Sequence, residues 1–560
     1  MKDLQPMLFR TLRGYTKKQL LSDVISGIIV AIIALPLSIA LALASGVGPE
    51  QGIYTAIIAG ALISFLGGST VQISGPTAAF ATIVAGIVAT NGISGLALAT
   101  VMAGIILILM GVFRLGGLIK YIPYTITTGF TAGIAVTILI GQLKDFFGVR
   151  YAAGVSPIET VEKVEAFFGH IGTVNPFAIL VGVISLAILI GWPYIKYANK
   201  IPASLVAVLI GSLAVGLFDI PVNTIGDLYT ISGKLPTPHM PALSFALVRE
   251  LLPNAFTIAI LAAIESLLSC VVADGMTNTK HSSNAELVAQ GVGNIGSAIF
   301  GGIPATGAIA RTAANIKNGG RTPIAGIVHA AVLLLVLVLL MPYAALIPMP
   351  VIAAILFVVA YNMCQWRPFV HLIRTAPKSD ILILVLTFAL TVLFDLVVAI
   401  AVGIVLAAVL FMKRMSDETS VRSWEYIEEE KDDTRSLRPV PAGVRIYEVS
   451  GPLFFGATDR IASVTVKSEM KCIILRMRSV PAIDATAMNA LIALHDRCKA
   501  AGVKVILSHV NEQPLHAMKK AGFLDRLGDG CLAPHIDEAI NRASELVSEN
   551  NRMENANDTE

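Results

Sequence analysis

Ionisable residues are scarce through most of this chain. Residues 21 to 412 hold only 30 of its 79 Asp, Glu, Lys and Arg, and the other 168 residues carry the rest. With 55% hydrophobic residues and a mean hydropathy of +0.75, that scarcity excludes a soluble fold for the long middle stretch. The chain therefore reads as a polytopic membrane part followed by a soluble C-terminal part. Basic runs are also missing and the net charge is only +3, so a nucleic-acid partner is dropped. The five cysteines (Cys270, Cys364, Cys472, Cys498, Cys531) are odd in number and lack metal-ligand spacing, which points to free thiols on a reducing side and to no metal. The first 20 residues are basic but lack an apolar stretch with a small-residue cleavage site, and are expected to stay as a cytoplasmic segment.

What is present is a series of apolar segments. Fourteen can be marked between residues 24 and 412, two of them short. With the N-terminus inside, the inner loops carry Arg114, Lys120, Lys196, Lys200, Lys280, Lys317, Arg321, Arg367, Arg374 and Lys378, then Lys413 and Arg414. The short outer connections near Gly48, Asn91, Gly301 and Pro348 carry no Lys or Arg. The positive-inside rule then puts both termini in the cytoplasm of a bacterial-type inner (plasma) membrane protein.

Internal similarity adds a second signal. "FLGGSTVQISGPTAAFAT" (65 to 82) lies over "IFGGIPATGAIARTAANI" (299 to 316) without gaps, and upstream "LALASG" (41 to 46) matches "CVVADG" (270 to 275). Two related halves of seven spans each must run in opposite directions, which is the inverted-repeat signature of secondary transporters. In each half a Gly-Gly, a short extended stretch and a helix starting near Pro76 or Ala310 would leave backbone N–H groups unpaired inside the membrane. Such groups are tolerated where they line a cavity or meet a ligand. Two half-helix N-termini facing one another make an anion site, and Arg311 adds a full positive charge.

Within "LAAIESLLSC", Glu265 stands alone in an apolar run about one turn from Ser269. An intramembrane carboxylate is costly and is read as functional by default. It either pairs with Arg311 as structural glue or changes protonation as an anion arrives and leaves, and in both cases the two should be close. The second reading makes Glu265 a coupling residue, carrying a proton or helping to hold a cation. Thr77, in the first turn of its half-helix, is the best of the nearby hydroxyls, which include Ser74, Ser269, Thr306 and Thr312. Leu37 and Leu41 would form an apolar wall. Asp274, Asn278, His281, Asn284 and Glu286 are expected in a polar cytoplasmic connection, with no metal assigned there.

After a charged linker (414 to 441), residues 442 to 547 read as a small α/β domain. "VRIYEVSGPLFFG" suggests a hairpin turning at Ser450 to Pro452, "KCIILRM" and "VKVILSHV" buried strands. It has no Gly-rich phosphate loop, and its histidines are scattered, so no enzyme is expected. Asp484 stands at a helix start as a cap. The tail 548 to 560 reads as disordered.

Together, "ALPLSIALALASGVGPEQGIYTAIIAGALISFLGGSTVQISGPTAAF", "AAIESLLSCVVADGMTNTKHSSNAELVAQGVGNIGSAIFGGIPATGAIARTAANI" and "IDATAMNAL" resemble the SulP sulfate permease family, bacterial relatives of the solute-carrier 26 anion transporters. "SGPTAAF", "IESLL" and "AIAR" are similar to its C4-dicarboxylic acid transporter branch. The resemblance implies seven-plus-seven inverted repeats arranged as a core and a gate domain over residues 21 to 413, with elevator-like motion. It also implies a homodimer and a cytoplasmic STAS domain open to a protein partner. It implies an anion held between Thr77 and Ala78 on one side and Ile309, Ala310 and Arg311 on the other, with Leu37, Leu41, Glu265 and Ser269 contributing. Phosphorylated STAS relatives carry the acceptor hydroxyl two residues after an Asp, here Thr486. The sodium-coupled bicarbonate branch has Asp at the position of Glu265, a hydroxyl residue at Ile309 and glycine at Arg311. This chain therefore resembles a proton-coupled carrier of sulfate, bicarbonate or a C4-dicarboxylate more than a sodium symporter. A sodium-dependent bicarbonate transporter, an anion channel and a membrane-tethered STAS receptor remain as alternatives.

Overall fold

The computed structural model describes residues 4–117, 123–152, 155, 157–196, 201–229, 231, 233–240, 244–394, 396–423, 440–467 and 469–557. Lys120 and Lys200 of the expected inner loops lie outside the described residues, as do 424–439 of the expected linker and 558–560 of the expected tail. The chain forms two compact units, residues 1–404 and 405–560.

The first unit is helical. Nine helices among the described residues are long and apolar enough to cross a membrane, fewer than the fourteen segments marked in the sequence. Part of the difference has a local cause. The segments 76–91 and 94–112 run together as Ala81–Val112, broken only where Gly92 takes φ 67°, a conformation that costs glycine nothing. Others are short: Ala203–Phe218 and Lys378–Leu393 have 16 residues, Ser283–Ile299 has 17 and Ile309–Lys317 has nine.

Local chemistry sets the helix ends. Thr16 and Gln19 form a capping box ahead of Lys17–Ala44, satisfying orphan amides of the first turn. Pro49 opens Pro49–Leu66, where a missing N–H is harmless. The helices then sort into two groups. Lys17–Ala44, Pro49–Leu66, Ala81–Val112, Phe245–Thr277, Ser283–Ile299, Ile309–Lys317 and Ile324–Leu340 pack mainly on one another. Tyr124–Gly141, Pro176–Gly191, Ala203–Phe218, Met349–Cys364 and Lys378–Leu393 form the second group. Small residues permit the closest approach: a Cβ on Gly104 would meet the Gly291 carbonyl at 2.7 Å, and Ile108 closes on Gly291 from the other side. Tight backbone contact of this kind drives helix association where the hydrophobic effect is absent.

The two halves meet at a two-stranded pair, β1 (Ser74–Gly75) antiparallel to β2 (Thr306–Gly307), with Ser74 opposite Gly307 and Gly75 opposite Thr306. A two-fold through that pair relates Ser74 to Thr306 and Gly75 to Gly307. The gapless overlay of the two motifs is therefore out by two residues here, because the first extended stretch is two residues longer between its Gly-Gly and its strand.

The second unit carries a five-stranded sheet in the order β3 (Ser420–Ser423), β4 (Val444–Ser450), β5 (Cys472–Ser479), β6 (Lys504–Ser508), β7 (Leu532–Ala533). All neighbours run parallel except β3 and β4. Two expectations are corrected. The hairpin at Ser450 to Pro452 does not form: Leu453 instead bridges to Ile483 in parallel, and the antiparallel partner of β4 is β3, from the stretch read as linker. The short edge strand escaped notice because its four residues sit among charges that look like linker. The helix Ile536–Asn557 also runs on into the stretch read as a disordered tail. Cys472, Cys498 and Cys531 are free and buried, and burial pushes the Cys472 thiol up to about 12, so it is an inert packing group.

Candidate functional site

The extended stretches do what unpaired backbone inside a membrane requires. Ile73 accepts the Ala308 amide at 2.9 Å and donates its own to Thr312 Oγ1 at 3.1 Å, while the Asn315 side-chain amide reaches the Val71 carbonyl at 2.8 Å. Cross-tied in this way, the turn at Ala78–Phe80 and the helix Ile309–Lys317 start side by side. Neither Thr77 nor Ala308, the residues at their N-caps, caps its helix with a side chain, so first-turn amides stay available with the positive end of each dipole.

A cavity of about 330 Å³ opens between these two starts. Leu37, Leu41, Thr77, Ala78, Glu265, Ile309, Ala310 and Arg311 line it. Ser269 does not: its hydroxyl is buried and lies 3.4 Å from Thr312 Oγ1. The other hydroxyls bond within the protein, Thr306 to the Ala262 carbonyl and Ser74 to Gln290. Pro76, Ala79, Gly307 and Ala308 of the same two stretches line it as well, and the opposite wall, not singled out in the sequence, comes from or directly follows helices of the second group: Thr131, Val359, Asn362, Met363 and Gln365. "YNMCQ" held a signal, two amides one turn apart at the end of an apolar run. Thr131, bonded back to the Thr127 carbonyl, held none.

Arg311 is 1% exposed. Its Nη2 donates to the Pro76 carbonyl at 3.1 Å and to Ser38 Oγ at 3.4 Å, and its Nε and Nη1 have no partner. The guanidinium lies so close to Gly75 that a Cβ there would collide with Nη1, so glycine at 75 makes room for it. The ion pair between Arg311 and Glu265 weighed from the sequence is not made: among the described residues no carboxylate pairs with Arg311. Glu265 instead accepts a hydrogen bond from Thr77 Oγ1 at 2.9 Å. The competing bond is local and neutral, and it holds the carboxylate on the first half-helix while the guanidinium sits against the Pro76 carbonyl.

Glu286 is also corrected. It was placed in a polar connection, yet it is fully buried in the first turn of Ser283–Ile299. It accepts from the Gly68 amide at 2.9 Å, Gln72 Nε2 at 2.6 Å and Gln290 Nε2 at 2.9 Å. It therefore staples the first extended stretch to the next helix. Asp274 and His281 do meet in the connection, at 2.7 Å. No cluster of three or more metal-ligating side chains occurs among the described residues.

A broken-helix pair, a buried guanidinium with no counter-charge among the described residues and a cavity between them together suit a negatively charged ligand. The sequence matches the sulfate permease family over residues 20–387 and the STAS domain over residues 437–539. The chain belongs to the sulfate permease family. It is an anion transporter of that family, not an enzyme, and it carries a STAS domain after the permease region. Among relatives, YvdB of Bacillus subtilis, named for sulfate transport, is 41% identical, covering 94% of this chain and 98% of its own length. The bicarbonate transporter BicA of a Picosynechococcus species is 32% identical, covering 86% of each. Murine Slc26a9, an anion transporter solved in its inward-facing state, superposes with a TM-score of 0.86 at 19% identity, covering 96% of this chain and 94% of its own. The likeness to Slc26a9 is one of fold.

In the STAS domain of this family member, Asp484 caps Ala485–Ala500 by accepting the Ala487 amide at 2.8 Å, and it also accepts the Phe455 amide at 2.9 Å. Thr486 is exposed in the first turn. Asp484→Ala is expected to lower the unfolding free energy of the domain by about 1 to 2 kcal/mol, read as a drop in the midpoint of its denaturant unfolding. An unchanged midpoint would show that neither amide depends on the carboxylate.

Proposed function

We propose that this chain is a proton-coupled secondary transporter of small anions, working by an elevator-like movement of the group that carries Glu265 and Arg311 against the group that carries Asn362 and Gln365. The observation that supports it most is Arg311: a buried guanidinium with unpartnered N–H groups at a cavity supplies charge that no carboxylate among the described residues cancels. The coupling residue in this reading is Glu265. It shares the cavity with Arg311 without being bound to it, so protonation of the acid and occupancy by an anion can each influence the other through space. The protein works in a plasma (inner) membrane with both ends cytoplasmic, as a homodimer, and Thr486 offers an exposed hydroxyl for regulation or partner binding at a helix start.

Bicarbonate uptake is the second reading, favoured by the similarity to BicA. A sodium-linked form of it fits less well, because a guanidinium in the cavity repels a bound cation. The test is counterflow in liposomes holding the purified protein, with labelled sulfate, bicarbonate, succinate and aspartate, each with and without a pH gradient. Saturable counterflow of at least one anion, accelerated by an inward proton gradient, is expected. Ohmic current would make it a channel, sodium-dependent uptake insensitive to pH would favour the second reading, and no movement of any anion would leave a receptor.

A further inference from the structure

Five of the buried atoms without a hydrogen-bond partner fall along one helix face: Nε and Nη1 of Arg311, both ring nitrogens of His329 and Oγ of Ser64. Ala56, Gly60 and Ser64 follow one another by a turn on that face of Pro49–Leu66, as positions four apart do. Beside Ala56, Gly75 is pressed against Arg311 Nη1. Beside Gly60, a Cβ would stand 3.9 Å from His329 Nδ1 and 3.2 Å from the Ser74 carbonyl. Ser64 Oγ fills the space over Gly326, which lies three residues before His329 on Ile324–Leu340. Guanidinium, imidazole and hydroxyl thus lie in order beside positions of Pro49–Leu66 that are about one helical turn apart. No direct hydrogen bond joins them, and one water between each pair would give Nη1, the imidazole and the hydroxyl their missing partners. His329 is 0% exposed, and polar groups buried so fully are satisfied by protein or by ordered water.

We propose that His329 positions Arg311 through ordered water held in this seam between Pro49–Leu66, Ile324–Leu340 and the Ser74–Gly75 strand. Donors and acceptors match in order from Nη1 to Ser64 Oγ, with Arg311 Nε outside this chain. A guanidinium only donates, so the water accepts from Nη1 and gives its own proton to a ring nitrogen of a neutral imidazole. The other ring N–H donates onward, through a second water, to Ser64 Oγ. A neutral acceptor holds the guanidinium in place without cancelling its charge, whereas a carboxylate in the same position would neutralise the site and compete with the transported anion. His329 is therefore a positioning residue, and its effect reaches the anion only through Arg311.

The inference rests on the reading of Arg311 as the anion's ligand, and two measurements on the full-length protein keep the two claims separable. The first is a density map that resolves ordered water, for the wild type and for His329→Gln and His329→Leu. Density within hydrogen-bond distance of both Arg311 Nη1 and a His329 nitrogen is expected, kept in the Gln variant and lost in the Leu variant. A dry seam, or a direct Arg311 to His329 contact, overturns the proposal whatever the substrate is. The second is KM for sulfate, bicarbonate and succinate in liposomes. H329L is expected to raise KM on the order of tenfold, the effect of a lost hydrogen bond to a charged group, with turnover little changed, and H329Q is expected to restore it. Wild-type KM in H329L overturns the positioning role. Should H329L not fold, His329→Phe, close to the imidazole in shape and without a polar atom, takes its place. If the wild type moves none of the three anions, it is the reading of Arg311 that has failed, and the map still decides the seam.

Discussion

Arg311→Ala is expected to abolish measurable anion binding while leaving the fold intact, a loss on the order of a hundredfold or more in Kd. The magnitude follows from the kind of contact removed. Hydrogen bonds to a charged group contribute roughly 1.5 to 3 kcal/mol each, a tenfold change in affinity is about 1.4 kcal/mol, and the truncation removes the cavity's positive charge together with those bonds. The stability side is less usual. Truncating one partner of a buried ion pair is strongly destabilising because the other charge is left uncompensated. Arg311 has no such partner among the described residues, only the Pro76 carbonyl and Ser38 Oγ. Thermal unfolding in detergent without anion should therefore show the Ala variant at least as stable as the wild type. Added anion should raise the midpoint of the wild type alone, since a ligand stabilises only the state it binds. Arg311→Lys separates charge from geometry: it keeps a cation but loses the bidentate fork, and intermediate binding is expected. Wild-type affinity in the Ala variant would place the anion elsewhere in the fold.

Glu265→Gln is expected to separate transport from the pH gradient. The amide keeps the size of the side chain and can still accept from Thr77 Oγ1, but it cannot change charge. If a proton rides with each anion, one unit of pH difference supports about tenfold accumulation, because one pH unit is worth about 1.36 kcal/mol per proton. Uptake by the wild type then rises as the outside pH falls. In the Gln variant anions should still exchange in counterflow, since a neutral side chain mimics the protonated acid. Net uptake should level off at equal concentrations on both sides and respond little to pH. A Gln variant that still accumulates anion against its gradient in proportion to the pH difference would remove Glu265 from the coupling step. Thr77→Val, which deletes the hydroxyl bonded to Glu265, offers a milder control in the same assay.

Much of the architecture was legible because the physics that specifies it is one-dimensional. Membrane segments announce themselves by length and lack of charge. The boundary with the STAS domain is marked by the return of charge, and the repeated Gly-Gly stretches flag broken helices. Arg311 and Glu265 stood out because each is an ionised group where lipid-facing residues are expected. Asn362, Gln365, Thr131 and His329 did not, since amides, hydroxyls and single histidines are common enough in helices that position decides their role. The two-residue slip between the repeats was hidden for a related reason: a gapless overlay of glycine- and alanine-rich motifs scores well in more than one register, and only strand pairing selects one.

What the sequence by itself determined is therefore the membrane class, the repeat, the two-part organisation and the identity of the charged pair. Tertiary structure alone decided that the two charges stay apart, that Thr77 takes the carboxylate and that the guanidinium leans on the Pro76 carbonyl. It also decided that Ser269 faces away and that Glu286 is a buried staple. The reason is geometric. Hydropathy and charge are summed along the chain, whereas partner choice depends on directions of a few ångströms between residues as far apart in sequence as Gly75 and Arg311, and no local pattern carries that information.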